Sequence, residues 1–104
     1  MAMNSREKGA RGERELAAVL REYGFEAERG QQFKGGPDSP DVKGLDGIHI
    51  ECKRVESLNI DKAMEQAIRD AGDNIPAVFH RRNKKPWKVT LLLEDFIKMY
   101  KGNR

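Results

Sequence analysis

Apolar residues recur along this chain with two different periods. Near the start, Leu16, Val19, Leu20 and Tyr23 are three or four residues apart, and a glycine follows them directly. This spacing predicts a helix over residues 10–23 that buries one stripe of side chains, and the glycine is typical of a helix C-terminus. In the middle of the chain the period changes to two, the period of a β-strand.

The same periods divide the remainder of the chain into short elements. Ile60, Met64 and Ile68 form a second helical stripe with three alanines beside it, which predicts a helix over residues 60–71. The other predicted elements are strands at residues 25–29, 41–44, 48–55, 76–80 and 87–92 and a last helix at residues 93–101, with Phe96, Ile97, Met99 and Tyr100 facing inward. This order predicts one α/β domain over residues 1–104, with a mixed central sheet flanked by helices.

The composition narrows the class of protein. No apolar run approaches the roughly 20 residues of a membrane span, and the N-terminus lacks the apolar core of a signal peptide. The single Cys52 excludes an internal disulfide, and with two histidines a Cys/His zinc site is not expected. We therefore expect an intracellular, cytoplasmic protein without a membrane anchor. The net charge of +3 is a mild basic bias that is compatible with nucleic acid.

A charged β-hairpin is predicted between Pro40 and Lys53. Its second strand alternates apolar residues with His49, Glu51 and Lys53, so these three side chains share one face. The turn signal at residues 46–47 sets the hairpin axis, which places Asp41 opposite Glu51. Directly opposed Cβ atoms lie about 4.5–5.5 Å apart, so two carboxylates are expected side by side.

Opposed like charges destabilise a sheet, so this pair predicts a cation between the two carboxylates. Oxygen ligands favour Mg²⁺ or Mn²⁺. A metal ion beside Lys53 suits hydrolysis of a phosphodiester, because the ion activates water and the ammonium stabilises developing charge. The alternative is a solvated hairpin whose charges point at water, and the correctly placed Pro40-Asp41 pair favours the site. His49 is interpreted as an edge or DNA-facing residue, and Asp38, in a second Pro-Asp pair, as a loop residue.

These residues resemble a known nuclease superfamily. Pro40-Asp41, nine intervening residues and then Glu51-Cys52-Lys53 match the PD-(D/E)XK signature, and the α, β, β, β, α, β order matches its restriction-endonuclease-like core. The opening segment, Lys-Gly-Ala-Arg-Gly-Glu-Arg-Glu-Leu at residues 8–16, is similar to archaeal-type Holliday junction resolvases and their phage-encoded relatives.

The resemblance implies a metal-dependent endodeoxyribonuclease that cuts four-way DNA junctions as a homodimer, in DNA recombination and repair. It implies Mg²⁺, with Mn²⁺ as a substitute, bound by the carboxylates of Glu13, Asp41 and Glu51 and by the main-chain carbonyl of Cys52. Lys53 matches the catalytic lysine, with attack by an activated water and a 5′-phosphate product. The resemblance also places Arg29 near the site, and Gln66 and Ser39 are candidate auxiliary residues.

The DNA surface is expected to read shape rather than sequence, since phosphate contacts supply most affinity of that kind. The candidate DNA-binding residues are Arg29, Lys34, Lys43, Arg54, Lys62, Arg69, Arg81, Arg82, Lys84 and Lys85. Two other functions stay open at this point: a nuclease of the same superfamily that acts on flaps, ends or plain duplex, and a DNA-binding module without activity. The combined Asp41, Glu51 and Lys53 argue against the second. The dimer surface is expected on the C-terminal strands or helix.

Overall fold

A computed structural model of the chain describes residues 5–30 and 39–102. The helices are α1 (Ser5–Glu22), α2 (Ile60–Asp70) and α3 (Leu93–Gly102), and the strands are β1 (Glu28–Arg29), β2 (Val42–Lys43), β3 (Ile48–Arg54), β4 (Ile75–Arg81) and β5 (Lys88–Leu91). The predicted order of helices and strands is confirmed. Within the described residues, no helix is both long and apolar enough to cross a bilayer.

The five strands form one mixed sheet in the order β1-β2-β3-β4-β5. β3 and β4 are parallel, and the other neighbours are antiparallel. The crossover from β3 to β4 contains α2, as a parallel pair requires. The sheet agrees with the predicted α/β architecture.

Two apolar clusters, one on each face, place β3 in the interior. Leu16 and Leu20 of α1 pack with Ile50 and Cys52 on one face of the sheet. On the other face, Val78 of β4 packs against a cluster of small and flexible residues of α2, namely Ala63, Met64 and Ala67. Helices therefore cover both faces of β3, and residues on both faces are buried.

The hairpin axis predicted at the turn is confirmed, because Val42 pairs with Ile50 in the observed register. Gly47 has a φ of +82°, a left-handed conformation that suits glycine at this turn. Regular pairing nevertheless ends at Val42. The amide of Asp41 donates to the carbonyl of Ile50 at 2.9 Å, so Asp41 and Val42 both lie opposite Ile50, as in a β-bulge. The predicted placement of Asp41 directly opposite Glu51 is therefore wrong, because the bulge shifts Asp41 out of the regular register.

Several residues that were predicted to be buried lie on the surface instead. Tyr23 is exposed because α1 ends at Glu22, one residue before it. Ile68 of α2 is 46% exposed, because the buried side of the helix is formed by Ala63, Ala67 and, of the Ile68 stripe, Met64. The predicted inward face of α3 is also wrong: its side chains at Phe96, Ile97, Met99 and Tyr100 are all exposed.

Candidate active site

Three carboxylates from separate parts of the chain influence one another. Glu13 comes from α1, Asp41 from the bulge before β2, and Glu51 from the middle of β3. Glu13 and Glu51 are 8% and 4% exposed, whereas Asp41 is half-buried. Burial raises the pKa of both glutamates, and the negative charge of Asp41 raises each of these pKa values further.

Asp41 is fixed through its side chain and through its main chain. Its carboxylate Oδ2 accepts a hydrogen bond from the Cys52 amide at 2.8 Å, and its carbonyl accepts one from the Gly30 amide at 2.9 Å. A Cβ atom at Gly30 would overlap the carbonyl oxygen of Pro40, so only glycine fits there without a shift of the backbone. The Asp41 carboxylate therefore accepts the hydrogen bond from β3 that a main-chain carbonyl of a paired strand would otherwise accept.

Glu13 is held by Arg29, one of the predicted site residues. The guanidinium Nε of Arg29 donates to Glu13 Oε1 at 2.9 Å. Burial raises the pKa of Glu13, and the hydrogen bond from Arg29 opposes that rise. A Cβ atom at the preceding Gly12 would lie 2.6 Å from the Cβ of Arg54, so this glycine allows α1 to approach the end of β3 closely.

Glu51 has a strongly raised pKa. Burial raises its pKa to about 7, the charge of Asp41 adds to the rise, and Lys53 opposes it. The ammonium Nζ of Lys53 lies 3.8 Å from Glu51 Oε2, which confirms that the two side chains share a face. Buried oxygen donors with excess negative charge fit a hard divalent cation, which would restore their ionised form.

The side chain of Cys52 belongs to the core. It is buried beside α1 as predicted, and burial raises the pKa of its thiol, which makes the sulfur unreactive. Its amide is taken by Asp41. Metal binding by its main-chain carbonyl stays a prediction.

The interpretation of His49 as an edge or DNA-facing residue is wrong. His49 is 1% exposed, because β3 is a central strand and α2 covers this face. Burial lowers the pKa of His49, and the charge of Asp70 raises it. Donor atoms of His49, Glu51 and Asp70 all lie within 4.8 Å of one another.

Sequence reasoning missed Asp70. It occupies the last residue of α2, where the helix dipole disfavours a negative charge. That unfavourable position was the available signal that Asp70 has a partner elsewhere. Gln66, a predicted auxiliary residue, is half-buried one helical turn before Asp70 and on the same side of α2.

The structure divides the predicted DNA-binding residues into two groups. Arg54 and Arg81 both pair with Glu15, at 3.2 and 2.7 Å, and tie the ends of β3 and β4 to α1. Lys34, another DNA-binding candidate, lies outside the described residues, as does Asp38 of the second Pro-Asp pair. Ser39, a candidate auxiliary residue, is half-buried. The exposed candidates are Arg29, Lys43, Lys62, Arg69, Arg82, Lys84 and Lys85.

Comparison with known proteins places this arrangement in a family. The chain matches the family of archaeal Holliday junction resolvases (Hjc) over residues 4–90. It is also similar to a solved structure of Hjc, a Holliday junction resolvase from the archaeal hyperthermophile Archaeoglobus fulgidus, with 28% identity, a TM-score of 0.59, and coverage of 81% of this chain and 72% of that chain. No curated protein matches the chain. The predicted restriction-endonuclease-like fold is confirmed by this similarity, and the chain belongs to the archaeal Holliday junction resolvase family.

Proposed function

We propose that this chain, as a single nuclease domain, resolves four-way DNA junctions by hydrolysis at the site formed by Glu13, Asp41, Glu51 and Lys53. Its family membership makes it a structure-specific, metal-dependent nuclease. The observation that supports the residue assignment is that carboxylates from α1, the bulge and β3 sense one another's charge, that two of them are nearly fully buried, and that a lysine lies beside Glu51.

The proposed cofactor is Mg²⁺, with Mn²⁺ as a substitute. Glu13, Asp41 and Glu51 would hold it, with the main-chain carbonyl of Cys52 as a further oxygen ligand. A hard cation matches this donor set. When bound, the cation supplies a water of lowered pKa and neutralises charge on the phosphate.

The remaining residues bind and orient. Lys53 is about one-third exposed, so its ammonium can donate to the attacking water and to a non-bridging phosphate oxygen. Arg29 fixes the rotamer of Glu13. The Cys52 amide fixes the position of the Asp41 carboxylate by donating to its Oδ2.

The proposed DNA path runs past the end of β3 and β4. Lys53 pairs with His80, and Arg54 with Arg81, so the basic turn at residues 81–85 follows directly beyond the catalytic lysine. Beside Gly12, a groove of about 650 Å³ is lined by the basic residues Lys8, Arg11 and Arg54 together with Glu15 and Glu56. The basic turn at residues 81–85 is therefore the part of this surface that best suits a phosphate backbone.

We further infer a homodimer. Resolution needs two symmetric nicks, and one site in each chain of a C2 pair supplies them. Val78 and Phe79 are used in the core of the chain, whereas Phe96, Ile97 and Tyr100 leave an apolar face on α3 that suits isologous contact.

The deciding experiment compares cleavage of a four-way junction with linear duplex, flap and single-stranded DNA of matched sequence, in Mg²⁺ and in Mn²⁺. We expect paired nicks in the junction and much slower cleavage of the other substrates. Glu51→Gln should abolish cleavage while junction binding survives. Preferred cutting of flaps or linear DNA would favour another nuclease activity, and binding without cleavage in either metal would favour an inert DNA-binding module.

A further inference from the structure

A second group of metal-ligating side chains lies on the α2 face of the sheet. Glu51 pairs with Val78, and Val78 packs against α2, so Glu51 and the neighbouring His49 face this helix. Asp70 reaches the same place from the last residue of α2. One donor atom from each of the three lies within 4.8 Å of the others.

His49 gives an independent reason to expect a ligand there. It is 1% exposed, and neither of its ring nitrogens has a hydrogen-bond partner among the described residues. A buried polar group without a partner destabilises a fold, and native structures rarely keep one. Since both carboxylates of the cluster are close to the ring, a cation between the three residues would satisfy the imidazole and balance the two negative charges.

The distances and the donor types indicate which cation fits. A cation about 2.0–2.2 Å from each ligand holds its ligand atoms about 3–4.4 Å apart, so modest side-chain rotation closes the observed cluster. Neutral imidazole with two carboxylates suits Mn²⁺, Co²⁺ or Zn²⁺, whereas Mg²⁺ prefers oxygen ligands alone. The cluster therefore differs in metal preference from the oxygen-rich site at Glu13 and Asp41.

We propose that His49, Glu51 and Asp70 form a second divalent-cation site that takes a transition metal. Glu51 is common to this site and to the catalytic site, so occupation of the second site fixes the orientation of a catalytic carboxylate. The assignment of the second site stands apart from the proposed function, because metal binding and not DNA cleavage measures it.

The first test uses Mn²⁺ as the probe and the full chain without DNA. Pulsed electron paramagnetic resonance detects the coupling of a bound histidine ¹⁴N nucleus to Mn²⁺. We expect this coupling in the wild-type protein, and we expect His49→Gln to remove it. His80→Gln is the matched control, because His80 is the second histidine of the chain and its Nε2 already contacts the Thr90 hydroxyl at 2.9 Å. Coupling that persists in His49→Gln, or is absent from wild type saturated with Mn²⁺, overturns the proposal.

A second variant keeps the proposal testable if His49→Gln does not fold. Asp70→Asn preserves size at a half-buried helix end and should lower Mn²⁺ occupancy from two sites to one in calorimetry, with the nitrogen coupling lost. Asp73→Asn, at an exposed position just after α2, should bind two ions as wild type does. Unchanged stoichiometry and coupling in Asp70→Asn would refute the site.

The Asp41→Asn variant distinguishes failure of the second-site proposal from failure of the proposed function. This variant should lose the oxygen-rich site and keep the nitrogen-coupled Mn²⁺. Nitrogen coupling that disappears in Asp41→Asn as well would show that one site, not two, binds the metal. A wild-type protein that binds nitrogen-coupled Mn²⁺ but cleaves no DNA would contradict the proposed function and leave the second site supported.

Discussion

The carboxylate of Asp41 accepts a hydrogen bond from the amide of Cys52, the residue that directly follows Glu51 in β3. The strand that carries one of the proposed catalytic carboxylates thus holds the other, and the two cannot move apart without loss of that hydrogen bond. Their proximity raises the pKa of Glu51 beyond the effect of burial alone. Several of the following predictions depend on this arrangement of charge.

The metal-free protein should lose stability as the pH rises. The pKa of Glu51 is about 7 in the fold and near 4.5 ordinarily, so between these values the folded chain keeps a proton that the unfolded chain has released. The free energy of unfolding should therefore fall by up to about 3 kcal/mol from pH 4.5 to pH 7 and above. Urea denaturation in EDTA at pH 5 and pH 8 measures this fall.

Glu51→Gln provides the comparison for that measurement. Glutamine stays neutral, so most of the pH-dependent loss should vanish, and the metal-free variant should exceed wild type in stability at pH 8. Glu65→Gln, at an exposed position of α2, should retain the wild-type pH dependence. An equal fall in wild type and Glu51→Gln would mean that Glu51 is not the titrating group.

Gly30→Ala should inactivate the enzyme without touching a charged residue. The new methyl group would overlap the Pro40 carbonyl and displace Asp41, whose main chain is bonded to Gly30. A misplacement of about 1 Å costs on the order of 100-fold in rate. Single-turnover junction cleavage gives the rate.

The matched control for Gly30→Ala is Gly9→Ala in α1. A Cβ atom at Gly9 meets nothing within 4 Å, and alanine favours a helix over glycine by roughly 0.5–1 kcal/mol. This variant should therefore cleave normally and unfold at a slightly higher temperature. Equal activity of the two variants would argue against the role of Gly30 in positioning Asp41.

Lys53→Ala should separate chemistry from metal binding. Lys53 lies 3.8 Å from Glu51 and its side chain is 32% exposed, so its removal should reduce turnover by at least 100-fold and leave Mg²⁺ affinity within a few-fold of wild type. Isothermal titration with Mg²⁺ and single-turnover cleavage are the two measurements. Lys98→Ala, on α3, is the control. Joint loss of metal affinity and folding in Lys53→Ala would assign that lysine a structural role.

The hairpin and its axis could be predicted because local chemistry determines them. The turn at Asp46-Gly47 sets the register, and the observed pairing of Val42 with Ile50 follows from it. The bulge at Asp41 could not be predicted, since it depends on contacts with Gly30 and Cys52, which are distant in sequence from it. Local pattern thus pointed to Asp41 and Glu51, the family resemblance added Glu13, and contacts between distant parts of the chain determine how Asp41 is held.

The burial of His49 was missed for a related reason. Alternation in β3 predicts one apolar face and one solvated face, but a central strand with a helix on each side buries both. Asp70 joins His49 and Glu51 only because the crossover places the end of α2 over β3. The spacing of residues along the sequence gives no indication of that contact.

The outward apolar face of α3 leads to the last prediction. Phe96 and Tyr100 stack with ring centroids 6.1 Å apart, yet both remain exposed in the single chain. Aromatic residues in the centre of an interface often contribute 2 kcal/mol or more. If α3 forms the dimer contact, Phe96→Glu should weaken the dimer by roughly 30-fold, and sedimentation at micromolar concentration should show monomers. The same variant should nick junction strands singly, because the two active sites are no longer joined. Tyr23→Glu changes another exposed aromatic residue, which lies at the end of α1 and not on α3, and should sediment as wild type does. A Phe96→Glu protein that stays dimeric would place the contact elsewhere, and a wild-type monomer that still makes paired nicks would contradict the homodimer.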